Sequence, residues 1–386
     1  MIITRSSSQY EKENIRSFLF LLIAAQIFFH VNGLTTNHRI QIGPLLSTCV
    51  DACQRGCHEI RKVQAAREAS DNQKLKTEVV LKDPSDPKSA LTEADTAAQR
   101  AIVGSLRAEW NKDVESNDNI LKIVGEEDDD DELTKSLSKA TFDALDRNRF
   151  LEEIPSDESE DGGIDAKRIT IFVDPLDGTR EFVEGRLENC QVLVGIAIDG
   201  EAVAGAVGMP FPQGNLETEP TIIYGLDGMG TGVVGTTLTR GPFPLERNEK
   251  YRRPHHATGD SKAEVMEACR RGAIEGLDGS IVTYGGAGNK ILAAALGEVT
   301  CTIQHRIGGA WDLCAPEAIL KAMGGKMTDL FGEEIAIYRD DAPAHCNERG
   351  YLATPPGSGD GFHEALAAKM MSLPEVQKYK EEVENM

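Results

Sequence analysis

The chain has 386 residues, 41 of them basic and 63 acidic, for a net charge of −22. At 40% hydrophobic and 27% charged it has a globular composition, long enough for about two to three domain-sized units. Such acidity excludes a general nucleic-acid binder, which needs cationic surface to displace phosphate counterions, but not a small anionic ligand held through a bound cation.

Arg5, Lys12 and Arg16 precede an apolar run, Phe18–Phe29, followed by Asn32-Gly33. A basic lead and about a dozen apolar residues fit a signal peptide over 1–33, or an N-terminal anchor; a spanning helix needs ~20 residues. The expected destination is the secretory pathway or an organelle reached through it. Glu11 and Glu13 argue against a mitochondrial address, because transit peptides avoid acids. No second apolar run of spanning length follows, so no stable membrane span is expected in the mature body.

Residues 44–80 read as one long helix, with Leu45, Cys49, Ala52, Cys53, Ile60, Val63 and Ala66 on one stripe, ended by the polar turn Lys82–Lys88. A second helix runs from Thr92 through Leu106 and opens Thr92-Glu-Ala-Asp95. Ile120–Val124 is a short strand leading into Gly125-Glu126-Glu127. Seven consecutive acids, Glu126–Glu132, and seven more within 152–165 read as solvated loops, since like charges repel. Ile169–Val173 is a strand stopping at Asp174-Pro175, and Gln191–Ile198 and Glu201–Met209 form a hairpin around Asp199-Gly200. A Gly-rich stretch over 225–236 joins further strands. Helices at 260–272, Asn289–Leu296 and Leu313–Met323 then alternate with strands at Ile281–Tyr284 and Val299–Gln304, as in layered α/β proteins.

Eight cysteines, at 49, 53, 57, 190, 269, 301, 314 and 346, include no CxxC pair of the kind that holds zinc. Cys49, Cys53 and Cys57 recur every fourth residue on one helical face. They are expected to be buried free thiols, the alternative being a disulfide within that cluster.

Four short acidic segments carry the chemistry. Asp174-Pro-Leu-Asp-Gly-Thr179 sits at a strand end, where sites gather in α/β folds. Its two carboxylates lie three apart in a turn, Gly178 permits close backbone approach, and Thr179 stands at a helix N-terminus whose N–H groups suit phosphate. Each of the others has an ordinary structural reading. Gly125-Glu126-Glu127 fits an acidic loop, Trp311-Asp312 a helix cap, and Asp95 a first-turn acid complementing a helix dipole. Carboxylates converging on one pocket repel one another unless protonated or neutralised. Oxygen donors without His or Cys suit Mg²⁺ or Mn²⁺.

Gly125-Glu-Glu127, Asp174-Pro-Leu-Asp-Gly-Thr179 and Trp311-Asp312, in that chain order, resemble the three signatures of the inositol monophosphatase superfamily of lithium-sensitive, Mg²⁺-dependent phosphomonoesterases. Val173–Gly185, Gly285–Ile291 and Trp311–Leu320 are similar to its 3′(2′),5′-bisphosphate nucleotidase branch, over about residues 90–353. The resemblance implies a layered αβαβα sandwich of the inositol monophosphatase/fructose-1,6-bisphosphatase type, α/β in class. An α+β N-terminal half over 34–212 would carry most metal ligands, and an α/β C-terminal half over 213–386 the Trp311-Asp312 motif and substrate segments. It also implies two or three Mg²⁺, with Mn²⁺ as a substitute, on Glu126, Asp174, Asp177, Asp312 and the backbone carbonyl of Leu176. Asp95 and Thr179 would orient and deprotonate the attacking water; the N–H groups of Gly178 and Thr179 would hold the departing phosphate. Gly286 and Lys290 would bind the rest of the substrate.

The implied reaction is in-line attack of a Mg²⁺-bound water on the 3′-phosphate of 3′-phosphoadenosine 5′-phosphate, with lithium inhibition. Two departures stand out. Glu93 occupies a position where animal nucleotidases commonly carry Lys, which implies altered ligand affinity or metal preference. The segment His255–Lys262 aligns poorly with the family's nucleotide loop, leaving Thr258 and Ser261 as candidates and His255 and His256 as surface residues. Two further readings are an inositol polyphosphate 1-phosphatase acting on inositol 1,4-bisphosphate, and a non-catalytic divalent-cation-binding protein. The expected partners are small phosphorylated molecules; no pattern specifies an oligomeric state.

Overall fold

The stripe expected along the first helix is buried from Leu45 through Cys49, Ala52 and Cys53 to Ile60, with Cys57 beside it on α1 (Ile42–Ala69), whereas Val63 is half-buried and Ala66 exposed. A computed structural model describes residues 38–69, 80–81, 90–110, 121–127, 143–149, 163–235, 255–274, 279–306, 308–338 and 347–386. The chain divides into two compact units, Met1–Arg39 and Ile40–Met386. The expected signal segment, the outer parts of both acidic runs and Cys346 lie outside the described residues. α1 is shorter than the expected 44–80 helix: its apolar stripe runs out near Ala66, and Val80–Leu81 is extended, paired antiparallel with Ala90–Leu91.

Within Ile40–Met386, α1 and α2 (Glu93–Trp110) pack together on one face of a six-stranded sheet. Its strands are β1 (Lys122–Gly125), β2 (Ile169–Asp177), β3 (Gln191–Ile198), β4 (Glu201–Met209), β5 (Thr221–Leu226) and β6 (Gly230–Val234), ordered β6-β5-β4-β3-β2-β1. A short helix, α3 (Thr179–Glu184), leaves the end of β2. The β3–β4 hairpin is as expected, with Asp199 and Gly200 both at positive φ.

The second sheet comprises β7 (His255–Thr258), β8 (Ser280–Thr283), β9 (Cys301–Gln304), β10 (Lys326–Thr328) and β11 (Tyr351–Thr354), ordered β8-β7-β9-β11-β10. Between the sheets lie α5 (Ala287–Ala295) and α6 (Ala310–Ala322), both nearly continuous in buried residues, as a helix covered on two sides must be. α4 (Glu264–Ile274), α7 (Phe362–Met371) and α8 (Pro374–Glu384) cover the outer face. The five layers form the expected αβαβα sandwich. The seven described cysteines are all free thiols, all buried.

One strand outruns its expected end. β2 continues through Pro175 to Asp177, but its register with β3 shifts between Asp174 and Asp177. Pro175 offers no N–H to the ladder, so the strand bulges there rather than stopping.

Candidate active site

The bulge in β2 turns Asp174 and Asp177 toward the same space at the end of the sheet. Asp174 Oδ1 accepts the Leu176 N–H at 3.0 Å, bridging the proline. Asp312, on the first turn of α6, joins them: the three carboxylates offer oxygens all within 4.8 Å of one another. Glu126 follows β1, its N–H bonded to Val173 O at 2.9 Å, and lies beside Asp174. Leu176 buries its side chain in the core and turns its carbonyl to Thr179 Oγ1, 3.1 Å away.

Helix N-termini hold these acids. Asp312 Oδ2 accepts the Gly309 N–H at 2.7 Å, and Asp177 accepts the N–H groups of Ala287 and Gly288, each at 2.9 Å, at the start of α5. Asp95 Oδ2 accepts both N–H and hydroxyl of Thr92, at 2.7 and 2.6 Å, while that hydroxyl accepts the Ala94 N–H at 3.2 Å, which ties down the start of α2. Asp95 is thus the first-turn acid expected on α2, whereas Asp312, expected as the cap itself, sits in the first turn of α6 and binds the N–H of Gly309, which is the cap. Asp95 spends one oxygen on the cap and turns the other, at 2.7 Å, to Thr179 Oγ1.

Gly286 caps α5 at φ 74°, and a Cβ there would stand 2.6 Å from Asp177 Oδ2. Only glycine lets the backbone cross so near that carboxylate. Gly178 has φ 89° at the start of α3, presenting the first turn to the cavity. Lys290, on α5, is buried and donates to Gly286 O at 2.6 Å.

The electrostatics are those of an overfilled acidic floor. Burial pushes the Asp174 carboxyl well up, and the charges of Glu126, Asp177 and Asp312 add to it. Asp312 is pushed up to about 8 by burial, then by Glu126 and Asp177. Asp177 is raised by burial against the opposing pull of Lys290 and the α5 amides. Asp95 is raised to about 6 by burial, restrained by its bonds from Thr92 and Thr179. Four carboxylates at the floor face one lysine. Protonation or bound cations relieve such a cluster, and all-oxygen donors fit a hard divalent ion.

These groups line a cavity of about 690 Å³ that reaches well beyond the floor. All ten residues expected at the site come together, nine of them lining the cavity and Asp95 lying behind Thr179. Glu93 is exposed and lines none of it. Of the 255–262 segment, Gly259 and Asp260 line the cavity, whereas Thr258 is buried outside the lining and Ser261 Oγ accepts the Ala263 N–H. His256 is buried at 1% exposure, not a surface residue: as the second residue of β7 it points under α4, where burial and the Arg270 charge push its pKa down to about 3.

Sequence reasoning passed over a second group in the cavity. Glu181 is buried and takes a two-pronged ion pair from Arg186, at 2.6 and 2.7 Å, plus Asn189 Nδ2 at 3.0 Å. Arg180 pairs with Glu184 at 2.8 Å and with Asp260 at 2.7 Å. The Arg180–Glu184 spacing on a helix was the one legible signal; Asp260 is 80 residues away.

Comparison with known proteins agrees with this geometry. Human 3′(2′),5′-bisphosphate nucleotidase 1 is 33% identical over 267 residues, 68% of this chain and 78% of its own length. The mouse Golgi-resident adenosine 3′,5′-bisphosphate 3′-phosphatase is 28% identical over 348 residues, 88% of this chain and 83% of that protein. The crystal structure of extragenic suppressor protein suhB from Bartonella henselae shares the fold, with a TM-score of 0.55 at 16% identity over 84% of this chain and 98% of that one. The Inositol monophosphatase family model matches residues 45–374, the span that holds both sheets and every carboxylate of the floor, and the chain belongs to that family.

Proposed function

We propose that the chain is a Mg²⁺-dependent phosphomonoesterase that removes the 3′-phosphate of 3′-phosphoadenosine 5′-phosphate, leaving AMP. The observation that carries the reading is the convergence of Asp174, Asp177 and Asp312 within 4.8 Å beside the hydrogen-bonded pair Asp95–Thr179. Glu126, Asp174, Asp177, Asp312 and the Leu176 carbonyl would hold two or three Mg²⁺, with Mn²⁺ as a substitute. Bound there, the ions would acidify water and offset charge on the phosphoryl and leaving oxygens.

The chain's own residues do the rest. Thr179 donates its hydroxyl proton to Asp95 and keeps its lone pairs for a water in the cavity. A proton leaving that water passes to Thr179 as Thr179 passes its own to Asp95. A carboxyl raised to about 6 is a serviceable acceptor near neutral pH. The first-turn N–H groups of Gly178 and Thr179 orient the phosphate. Gly286 and Lys290, on the C-terminal half (213–386), contact the remainder of the substrate, while 34–212 supplies Asp95 and most of the floor.

The nucleotide is favoured by the two relatives that act on bisphosphate nucleotides in name. Inositol 1,4-bisphosphate is the second reading, because the family model is that of inositol monophosphatases. Lithium inhibition belongs with the family resemblance. A secretory-pathway location is supported by the apolar run Phe18–Phe29 and the Golgi-resident relative; no helix of the described residues is long and apolar enough to cross a membrane. The test is product analysis after incubation with Mg²⁺ and the bisphosphate, for wild type and Asp174→Asn. AMP and phosphate from wild type, with Asp174→Asn folded but slower by about 10²–10³-fold, are expected. Turnover surviving that substitution overturns the metal assignment.

A further inference from the structure

Among the described residues three cations line the cavity, and they are held differently. Lys290 is buried on the Gly286 carbonyl. Arg186 grips the buried Glu181 with two bonds. Arg180, the residue after Thr179, stands 42% exposed and reaches across the cavity to Asp260, itself 51% exposed, on the segment that follows β7. That segment is fixed from behind: Arg270 on α4 donates to the carbonyls of both Gly259 and Ser261. The field of Asp260 also reaches Lys290. A monoanionic carboxylate is thus held rigidly in the outer cavity, against one cation and facing another.

We propose that Asp260 is a stand-in for a second phosphate of the substrate, and that Arg180 is a specificity-determining residue that exchanges Asp260 for that phosphate on binding. The proposal deepens the phosphomonoesterase reading and rests on it. What it adds is the residue that tells a leaving group carrying a further phosphate from one that does not. An exposed ion pair contributes little to stability, so breaking Arg180–Asp260 costs little. A phosphate brings nearly two charges and three acceptor oxygens, and a guanidinium can grip it with two parallel bonds. Arg186 is unsuited to the exchange, because releasing Glu181 would leave a buried carboxylate unpaired.

The test compares adenosine 3′,5′-bisphosphate with adenosine 3′-monophosphate on the Mg²⁺-loaded full chain, reading KM and kcat separately. Arg180→Gln is expected to raise KM for the bisphosphate about tenfold more than for the monophosphate, the worth of one charge-assisted contact. The effect should fall mainly on KM, and Arg180→Lys should recover part of it. Asp260→Asn is expected to lower KM for the bisphosphate by about threefold, since a competing carboxylate is gone. Equal changes in both KM values with Arg180→Gln, or a higher bisphosphate KM with Asp260→Asn, overturn the proposal. Hydrolysis of neither compound by wild type overturns the substrate reading, and this assignment with it.

Discussion

The floor of the cavity and its outer rim are both built from charged side chains, yet they are built on opposite principles. Asp95 and Asp177 are buried and Asp312 is half-buried, and all three are bound to the N-termini of α2, α5 and α6, so the scaffold fixes their positions before any ligand arrives. Arg180, Glu184 and Asp260 are exposed ion pairs that solvent screens and a ligand can replace. Placement by the backbone gives precision where bonds break; placement by side-chain pairing gives exchange where substrates are told apart. Helix N-termini also offset part of the repulsion that four neighbouring carboxylates create.

This contrast predicts effects that shrink on moving from floor to rim. The largest is Asp95→Asn, which removes the proton acceptor and should slow kcat by about 10²–10⁴-fold. In wild type, kcat/KM should fall as pH drops through about 6, where Asp95 takes up a proton, and the variant should lose that limb. A pH–rate profile of both proteins checks the pair.

Next is the response of stability to cations. With Asp312 pushed up to about 8, the cation-free native chain binds protons that the unfolded chain, with carboxyls near pH 4, has already lost. Its stability is therefore full below about pH 4 and declines as pH rises through 8. Mg²⁺ should cancel that decline, adding about 2.7 kcal/mol at a hundredfold excess over Kd. Thermal melts in chelator and in Mg²⁺ across pH 5 to 8 would show it; parallel curves would break the comparison.

Gly286→Ala should cost about 1–3 kcal/mol from strain at φ 74° and crowding of Asp177, read by melting temperature together with activity. The smallest expected effect belongs to Glu93→Lys. The residue is exposed and off the cavity, so kcat/KM and stability should stay within about twofold and ±0.5 kcal/mol. A large change would mean that charge outside the cavity tunes the floor.

What was legible in the sequence follows the same division. Of the floor, Asp174 and Asp177 could be read because they sit in one short motif at a strand end, whereas Glu126 and Asp312 came with the family resemblance, their local readings being an acidic loop and a helix cap. The α/β class could be read because strand and helix patterns alternate after Arg168, whereas the five-layer order came only with the family resemblance. Other features depend on contacts that spacing does not encode. Nothing in Asp174-Pro175 says that the strand resumes past its bulge to Asp177. The polar pair His255-His256 hides that one imidazole is packed under α4. Glu181 looks like a surface acid until Arg186 and Asn189 close over it, and Asp260 meets Arg180 only because two layers bring them together.

The most direct test of the whole account is phosphate release by the purified chain with Mg²⁺, from 3′-phosphoadenosine 5′-phosphate and, separately, from inositol 1,4-bisphosphate, each with and without Li⁺. Strong preference for the nucleotide, abolished by a chelator and inhibited by Li⁺, is the predicted result. Preference for the inositol bisphosphate would contradict the substrate, and no phosphate from either would contradict the enzyme.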